Sequence, residues 1–168
     1  MPQKNQVYLL LGSNIDPRET FINKAITMIG ERVGKIVDMS GIYQSEAWGF
    51  QSDTPFLNRV IRIETDLDAE LLLQQTQQIE IDLGRTEAKT NGYASRTMDV
   101  DLLYYNDSVV HRANLVIPHP RLHLRRFTLV PMVALAPHFQ HPVLHLSQAE
   151  LLAGCGDTGE VQPYTPQG

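Results

Sequence analysis

Arg96-Thr97-Met98-Asp99-Val100-Asp101-Leu102-Leu103 sets two carboxylates two residues apart inside an apolar, β-prone run. Read as a strand, its side chains alternate, so Met98, Val100, Leu102 and Tyr104 turn toward a core while Asp99 and Asp101 project together from the opposite face. Two adjacent anions need a counter-charge, and a hard oxygen pair suits Mg²⁺, which completes its shell with water and substrate phosphates. The alternative is an acidic pair on a solvated strand face, and spacing alone does not choose between them. Asp66-Leu67-Asp68 has the same spacing, yet it precedes Ala-Glu-Leu-Leu-Leu and reads as a helix start with an acid at the N-cap.

Upstream of this strand the chain supplies the rest of a pattern. Val7 to Leu11 reads as a strand ended by Gly12-Ser13-Asn14. Asp16, Pro17 and Glu19 then form a capping-box arrangement, with Phe21, Ile22, Ala25, Ile26 and Ile29 at helical spacing and Gly30 as the stop. Residues 35–45 read as a second strand ending near Tyr43, and Phe56 to Thr65 as a third with Leu57, Ile61 and Ile63 on one face. Leu72, Thr76, Ile79 and Leu83 mark a second helix, closed by Gly84, and Met98 to Tyr105 is the fourth strand. The order β-α-β-β-α-β predicts a ferredoxin-like α+β sandwich. Additional C-terminal helices follow, one from Phe127 to Leu135 with Pro131 near its start, the other capped by Ser147. Residues 1–154 are expected to form one domain and 155–168 a loose tail. The connections 44–55 and 85–95 are long enough to act as lids.

Composition narrows the function classes. The net charge is −5, and no lysine or arginine run exceeds the pair Arg125-Arg126, which argues against a nucleic-acid or anionic-membrane surface. A small anionic ligand needs only a few arginines focused in a cleft. Cys155 is the only cysteine, which excludes an internal disulfide and fits a reducing cytoplasm. The N-terminus shows no signal-peptide pattern, and a cytoplasmic monomer is expected.

Several motifs occur together in one order: Gly12-Ser13-Asn14, Phe56-Leu57-Asn58, Gln77-Gln78-Ile79-Glu80 with Gly84-Arg85, the Arg96 to Asp101 element, and Pro118-His119-Pro120-Arg121 with Arg125 and Phe127. As a set they resemble the 6-hydroxymethyl-7,8-dihydropterin pyrophosphokinases of folate biosynthesis, over about Val7 to Pro142. The resemblance implies transfer of pyrophosphate from ATP to the hydroxymethyl group of a reduced pterin, with AMP as the other product. It implies Asp99 and Asp101 as ligands of two Mg²⁺ ions, with Arg85 and Arg96 joining them in catalysis. Metal binding of the alcohol oxygen, with Asp99 accepting its proton, is the hypothesis for activation. For ATP it implies Gln77, Glu80, Arg85, Lys89, Arg96, Leu102, His119 and Arg125. For the pterin it implies Ser45, Ala47 and Trp48 in one loop, Phe56 and Phe127 against the ring, and Asn58 at its edge.

Each residue also has an ordinary reading. Lone arginines are mostly surface residues, phenylalanines mostly core, and Gln77 with Glu80 an ordinary solvated helix face. Asn58 resists that treatment, because an amide among strand residues wants a partner and offers both donor and acceptor. The loop 85–95 departs from the family pattern: it holds one lysine, Lys89, and Tyr93 stands where many relatives carry tryptophan. No G-x-x-x-x-G-K phosphate loop is present. Three rivals remain at this point: zinc at His138, His141 and His145, a non-enzymatic ligand-binding module, and another Mg²⁺-dependent phosphotransferase, which would release ADP rather than AMP.

Overall fold

Val7-Tyr8-Leu9-Leu10-Leu11 is apolar at every position, a run that calls for burial on both faces of a strand. In the computed structural model, which describes residues 4–46, 54–84 and 97–165, it is the middle of β1 (Asn5–Ser13). β1 lies antiparallel between β4 (Phe56–Thr65) and β5 (Asp99–Tyr105). β2 (Lys35–Met39) and β3 (Tyr43–Ser45) both pair with β4, at its two ends, and share one strand position between them. The sheet order β5-β1-β4-β3 is that of the expected ferredoxin-like arrangement.

Both faces of this sheet are covered, by different helices. α1 (Arg18–Arg32) and α2 (Ala69–Asp82) bring Ile22, Ala25, Ile29, Leu72 and Ile79 onto Leu9, Leu11, Ile61 and Ile63. Full burial of each such aliphatic side chain stabilises the fold by about 1.5–3 kcal/mol. On the other face, a 3₁₀ turn (Leu122–Leu124), α3 (Arg126–Leu135) and α4 (Gln148–Ala153) pack Leu122, Leu129, Met132 and Leu151 onto Tyr8, Leu10, Val60, Leu103 and Tyr104. A hairpin of β6 (Val110–Arg112) and β7 (Leu115–Ile117) follows β5. No helix among the described residues is long and apolar enough to cross a membrane.

Several local expectations are corrected. α1 starts one residue late: Pro17 is its N-cap, without a side-chain cap, and Asp16 instead accepts from Arg18 Nε at 2.9 Å. Gly30 lies inside α1, and Gly34 is the glycine the backbone needs, because a Cβ there would collide with the Glu64 carbonyl. The strand expected over 35–45 breaks at Ser40, whose hydroxyl takes the Val60 N–H at 3.0 Å and whose own N–H reaches the Val60 carbonyl at 2.9 Å. Pro131 sits in the interior of α3, buried, rather than in the first turn. Lacking an N–H, it cannot bond the carbonyl four residues back, a cost its packing must offset. Tyr104 does not share a face with Val100 and Leu102. The β1–β5 register slips between Tyr8 and Leu9, so Leu103 and Tyr104 both turn to the α3 side and Tyr105 returns to the α1 side. Beyond Gly154, where a loose tail was expected, Val161–Pro163 forms β8 and pairs with β3.

Candidate active site

Across the middle of the sheet, Tyr43 pairs with Asn58, Asn58 with Gly12, and Gly12 with Asp99. The next row on the same face places Leu10 between Val60 and Asp101. Gly12 is bare for a reason, since a Cβ there would stand 2.7 Å from the Asn58 side-chain oxygen. Asn58 is buried, and its amide nitrogen donates to the Ser45 hydroxyl at 3.4 Å. The α3 layer covers only part of this face. Where it stops, a cleft opens, lined by Leu10, Gly12, Ser45, Glu46, Phe56, Asn58, Asp99, Asp101, Arg125 and Phe127.

Asp99 and Asp101 are half-buried on the cleft side of β5, on the face that strand alternation predicted. Among the described residues β5 is an edge strand, so the outward N–H of Val100, between the two acids, meets no neighbouring strand there. Glu80 of α2 takes it at 2.9 Å, with the residue only 1% exposed. Gln77 and Glu80, read from the sequence as sharing one helix face, therefore differ: Gln77 is exposed and Glu80 is buried. Glu80 meets the strand from behind, through the backbone that carries both acids.

Arg125 precedes α3 and is 3% exposed, with Nη2 3.9 Å from Asp101 Oδ2 and the guanidinium 4.9 Å from the centre of the Phe127 ring. The guanidinium thus stands between a carboxylate and an aromatic face. His119 lies beside the same strand, its N–H on the Leu103 carbonyl at 3.0 Å. Its Nδ1 accepts from the Arg121 N–H at 3.1 Å, so the neutral ring carries its proton on Nε2.

The structure therefore gathers Ser45, Phe56, Asn58, Asp99, Asp101, Arg125 and Phe127 around one cleft. Leu102 is directed elsewhere, into the α1–α2 core. Ala47, Trp48, Arg85, Lys89 and Arg96 lie outside the described residues. Leu10, Gly12 and Glu46 line the cleft without having been singled out as ligand contacts. The signal for Leu10 was the doubly apolar pattern of β1, which placed it on the second face; Glu46 carried none. The histidines expected as a rival zinc site do not form one: among the described residues no group of three or more metal-ligating side chains is arranged to hold an ion. His141 is buried, and its Nδ1 accepts from the N–H groups of Val143 and Leu144 at 3.1 Å each.

Comparison with known proteins extends this geometry. A profile of the 7,8-dihydro-6-hydroxymethylpterin-pyrophosphokinase (HPPK) family matches residues 8–137. A 2-amino-4-hydroxy-6-hydroxymethyldihydropteridine pyrophosphokinase of Porphyromonas gingivalis is 38% identical over 138 residues, 81% of this chain and 93% of that one. The protein of the same name from Bacillus subtilis is 37% identical over 129 residues, 76% of each chain. The wild-type HPPK-DHPS of Plasmodium falciparum superposes with a TM-score of 0.72 over 90% of this chain at 14% identity, a likeness of fold. This chain spans 44% of that larger one.

Proposed function

The chain belongs to the 7,8-dihydro-6-hydroxymethylpterin-pyrophosphokinase family, whose members transfer pyrophosphate from ATP to the hydroxymethyl group of the pterin in folate synthesis, and from that premise we propose how its residues divide the work. The observation that carries the proposal is the meeting of two carboxylates, a buried arginine, a buried amide and two phenylalanines on one cleft.

The pterin binds at the Asn58 end. Asn58 reads the ring edge with an acceptor and a donor at once, its orientation held through Ser45. Phe56 and Phe127 supply apolar surface for a flat ring, and Leu10 with the bare peptide at Gly12 forms the floor. The triphosphate lies toward Asp99 and Asp101. Arg125 and His119, with Arg85, Lys89 and Arg96 from the 85–96 segment, hold its oxygens, since guanidinium donors meet phosphate two at a time. Glu80 serves this end as a positioning residue through the Val100 N–H rather than as a nucleotide contact. Gln77, exposed on the same helix, remains available to the nucleotide.

The acids fit magnesium by their chemistry: two hard carboxylates on one face are the protein share of a site whose other ligands are water and phosphate. Asp99 and Asp101 would hold the two ions. The chemistry they would supply there is neutralisation of charge on the phosphate oxygens. The rest of the rate follows from holding two substrates together while excluding water. The free thiol of Cys155 is in keeping with a cytoplasmic location.

The test is product identity. Incubated with ATP, Mg²⁺ and 6-hydroxymethyl-7,8-dihydropterin, the protein should release AMP and the pterin diphosphate in equal amounts. ADP as the sole nucleotide product would instead establish ordinary phosphoryl transfer.

A further inference from the structure

The segment after α4 is rich in glycine, proline and polar residues, a composition that rarely repays the entropy of ordering unless backbone groups are taken up elsewhere. Here they are taken up at both walls of the cleft. α3 begins without a side-chain cap of its own, since Arg125 at its N-cap position has none to offer, and its first turn holds no acid. Asp157 supplies what is missing from a distance. Its Oδ2 accepts the Arg126 N–H at 3.1 Å, while Oδ1 takes the Gly159 N–H at 2.9 Å and so turns the tail. Arg126 lies between Arg125 and Phe127, both of which line the cleft.

The tail then crosses to the opposite wall. Val161 pairs with Ser45, Gln162 with Gln44 and Pro163 with Tyr43, so β8 closes the open edge of the strand that ends at Ser45, next to Glu46 on the cleft. The Tyr164 N–H reaches the Ile42 carbonyl at 2.8 Å, and its ring packs on the α1–α2 core beneath the Arg18 guanidinium. Arg18 in turn donates to the Pro55 carbonyl at 2.9 Å, one residue before Phe56. One stretch of eight residues, Asp157 to Tyr164, thus joins the α3 wall to the β3 wall.

We propose that this segment is a strap that sets the width of the pterin end of the cleft, with Asp157 as the positioning residue for Phe127. This rests on the pyrophosphokinase reading for the identity of the ligand, but not for the existence of the strap. A carboxylate on the first N–H groups of a helix fixes where that helix starts, because it satisfies donors that nothing in the helix can satisfy and favours the positive end of its dipole. Removing it lets the first turn of α3 loosen, and Phe127 loosens with it. Ser45, bridged to the same strap through β8, is the acceptor that orients Asn58.

Asp157→Ala and Asp157→Asn separate positioning from general stability, because asparagine keeps an oxygen for the Arg126 N–H. In the full-length protein, Asp157→Ala should raise the pterin KM by about fivefold or more, while the ATP KM and kcat stay within about twofold. Asp157→Asn should recover most of that loss. Equal changes in both KM values that follow the melting temperature, or no change in either, would overturn the strap. Hydrogen exchange gives a reading that needs no turnover: amides at the start of α3 should exchange about tenfold faster in Asp157→Ala than in the wild type. Unchanged exchange there refutes the proposal even if the wild type makes no AMP, and faster exchange with unaltered pterin KM reduces Asp157 to a cap. A wild type without AMP alongside accelerated exchange would keep the strap and discard the substrate assignment.

Discussion

Leu9 and Leu10 are neighbours in β1 and both are buried, yet they belong to different parts of the protein's chemistry. Leu9 faces α1 and α2, in a core made mainly of aliphatic side chains, with Thr76 and Glu80 also buried on α2; Leu10 faces the α3 side, where it belongs to a second core and also lines the cleft. The first face is closed by its helices and serves the site only from behind, through the Glu80 bond to the Val100 N–H. The second is left incomplete, and the side chains that would be costly in a core, Asn58, Asp99, Asp101 and Arg125, stand where the covering layer ends. The site is an unfinished layer rather than a hole in a finished one.

Substitutions on the two faces should therefore separate activity from stability. The largest effect is expected from Asp99→Asn or Asp101→Asn, which should lower turnover on the order of a hundredfold or more while shifting unfolding free energy by less than about 1 kcal/mol. Near-normal turnover in either would remove the acids from the reaction. Leu9→Ala should do the reverse, costing about 2–5 kcal/mol in denaturant titration with both KM values unchanged where the protein stays folded. Leu10→Ala sharpens the contrast, because it should raise the pterin KM as well as destabilise. If the two leucine variants behaved alike in both assays, the division between the faces would be wrong.

The smallest effect belongs to His141 on the cleft face. Burial, with His123 and His145 nearby, holds its pKa below the usual histidine value, and Nδ1 is committed to two N–H groups. The unfolded chain therefore takes up this proton more readily than the native one. The contribution of neutral His141 is present above the unfolded value of about 6.5 and is lost as pH falls through the depressed folded value, by no more than about 1.4 kcal/mol per pH unit. His141→Asn should flatten the dependence of melting temperature on pH between about 7 and 5 relative to wild type. Parallel curves would remove His141 as a source of the slope.

Sequence reading was strongest where one physical rule acted alone. β4 spans the expected Phe56 to Thr65, with Leu57, Ile61 and Ile63 on one face as expected, and Asp68 and Ser147 cap α2 and α4 as their side-chain chemistry requires. It failed where a long-range contact overrode the local pattern. The face of Tyr104 depends on a register slip against β1, which periodicity within β5 cannot reveal. Glu80 lies three residues from Gln77, near enough on a helix to count as the same face, but the edge of the buried stripe runs between them. Gly30 looked like a stop because glycine often is one, whereas Gly34 is required by a carbonyl thirty residues further along the chain. In the cleft, Asp99 and Asp101 were legible as paired acids inside a strand and Asn58 as an amide among strand residues, whereas Arg125 stood out only through the family resemblance. Glu46 was not, since an acid in a loop is ordinary.

The pairing of Gly12 with Asn58 on one side and Asp99 on the other has a metrical consequence. Two strand spacings separate the two side-chain origins, about 9–10 Å along the hydrogen-bonding direction, and the ladder holds that interval on every molecule. The sheet is thus a gauge between the group proposed to recognise the heterocycle and the one proposed to meet the phosphates. A substrate whose alcohol hangs at another distance from its recognised edge would arrive with one end or the other out of reach.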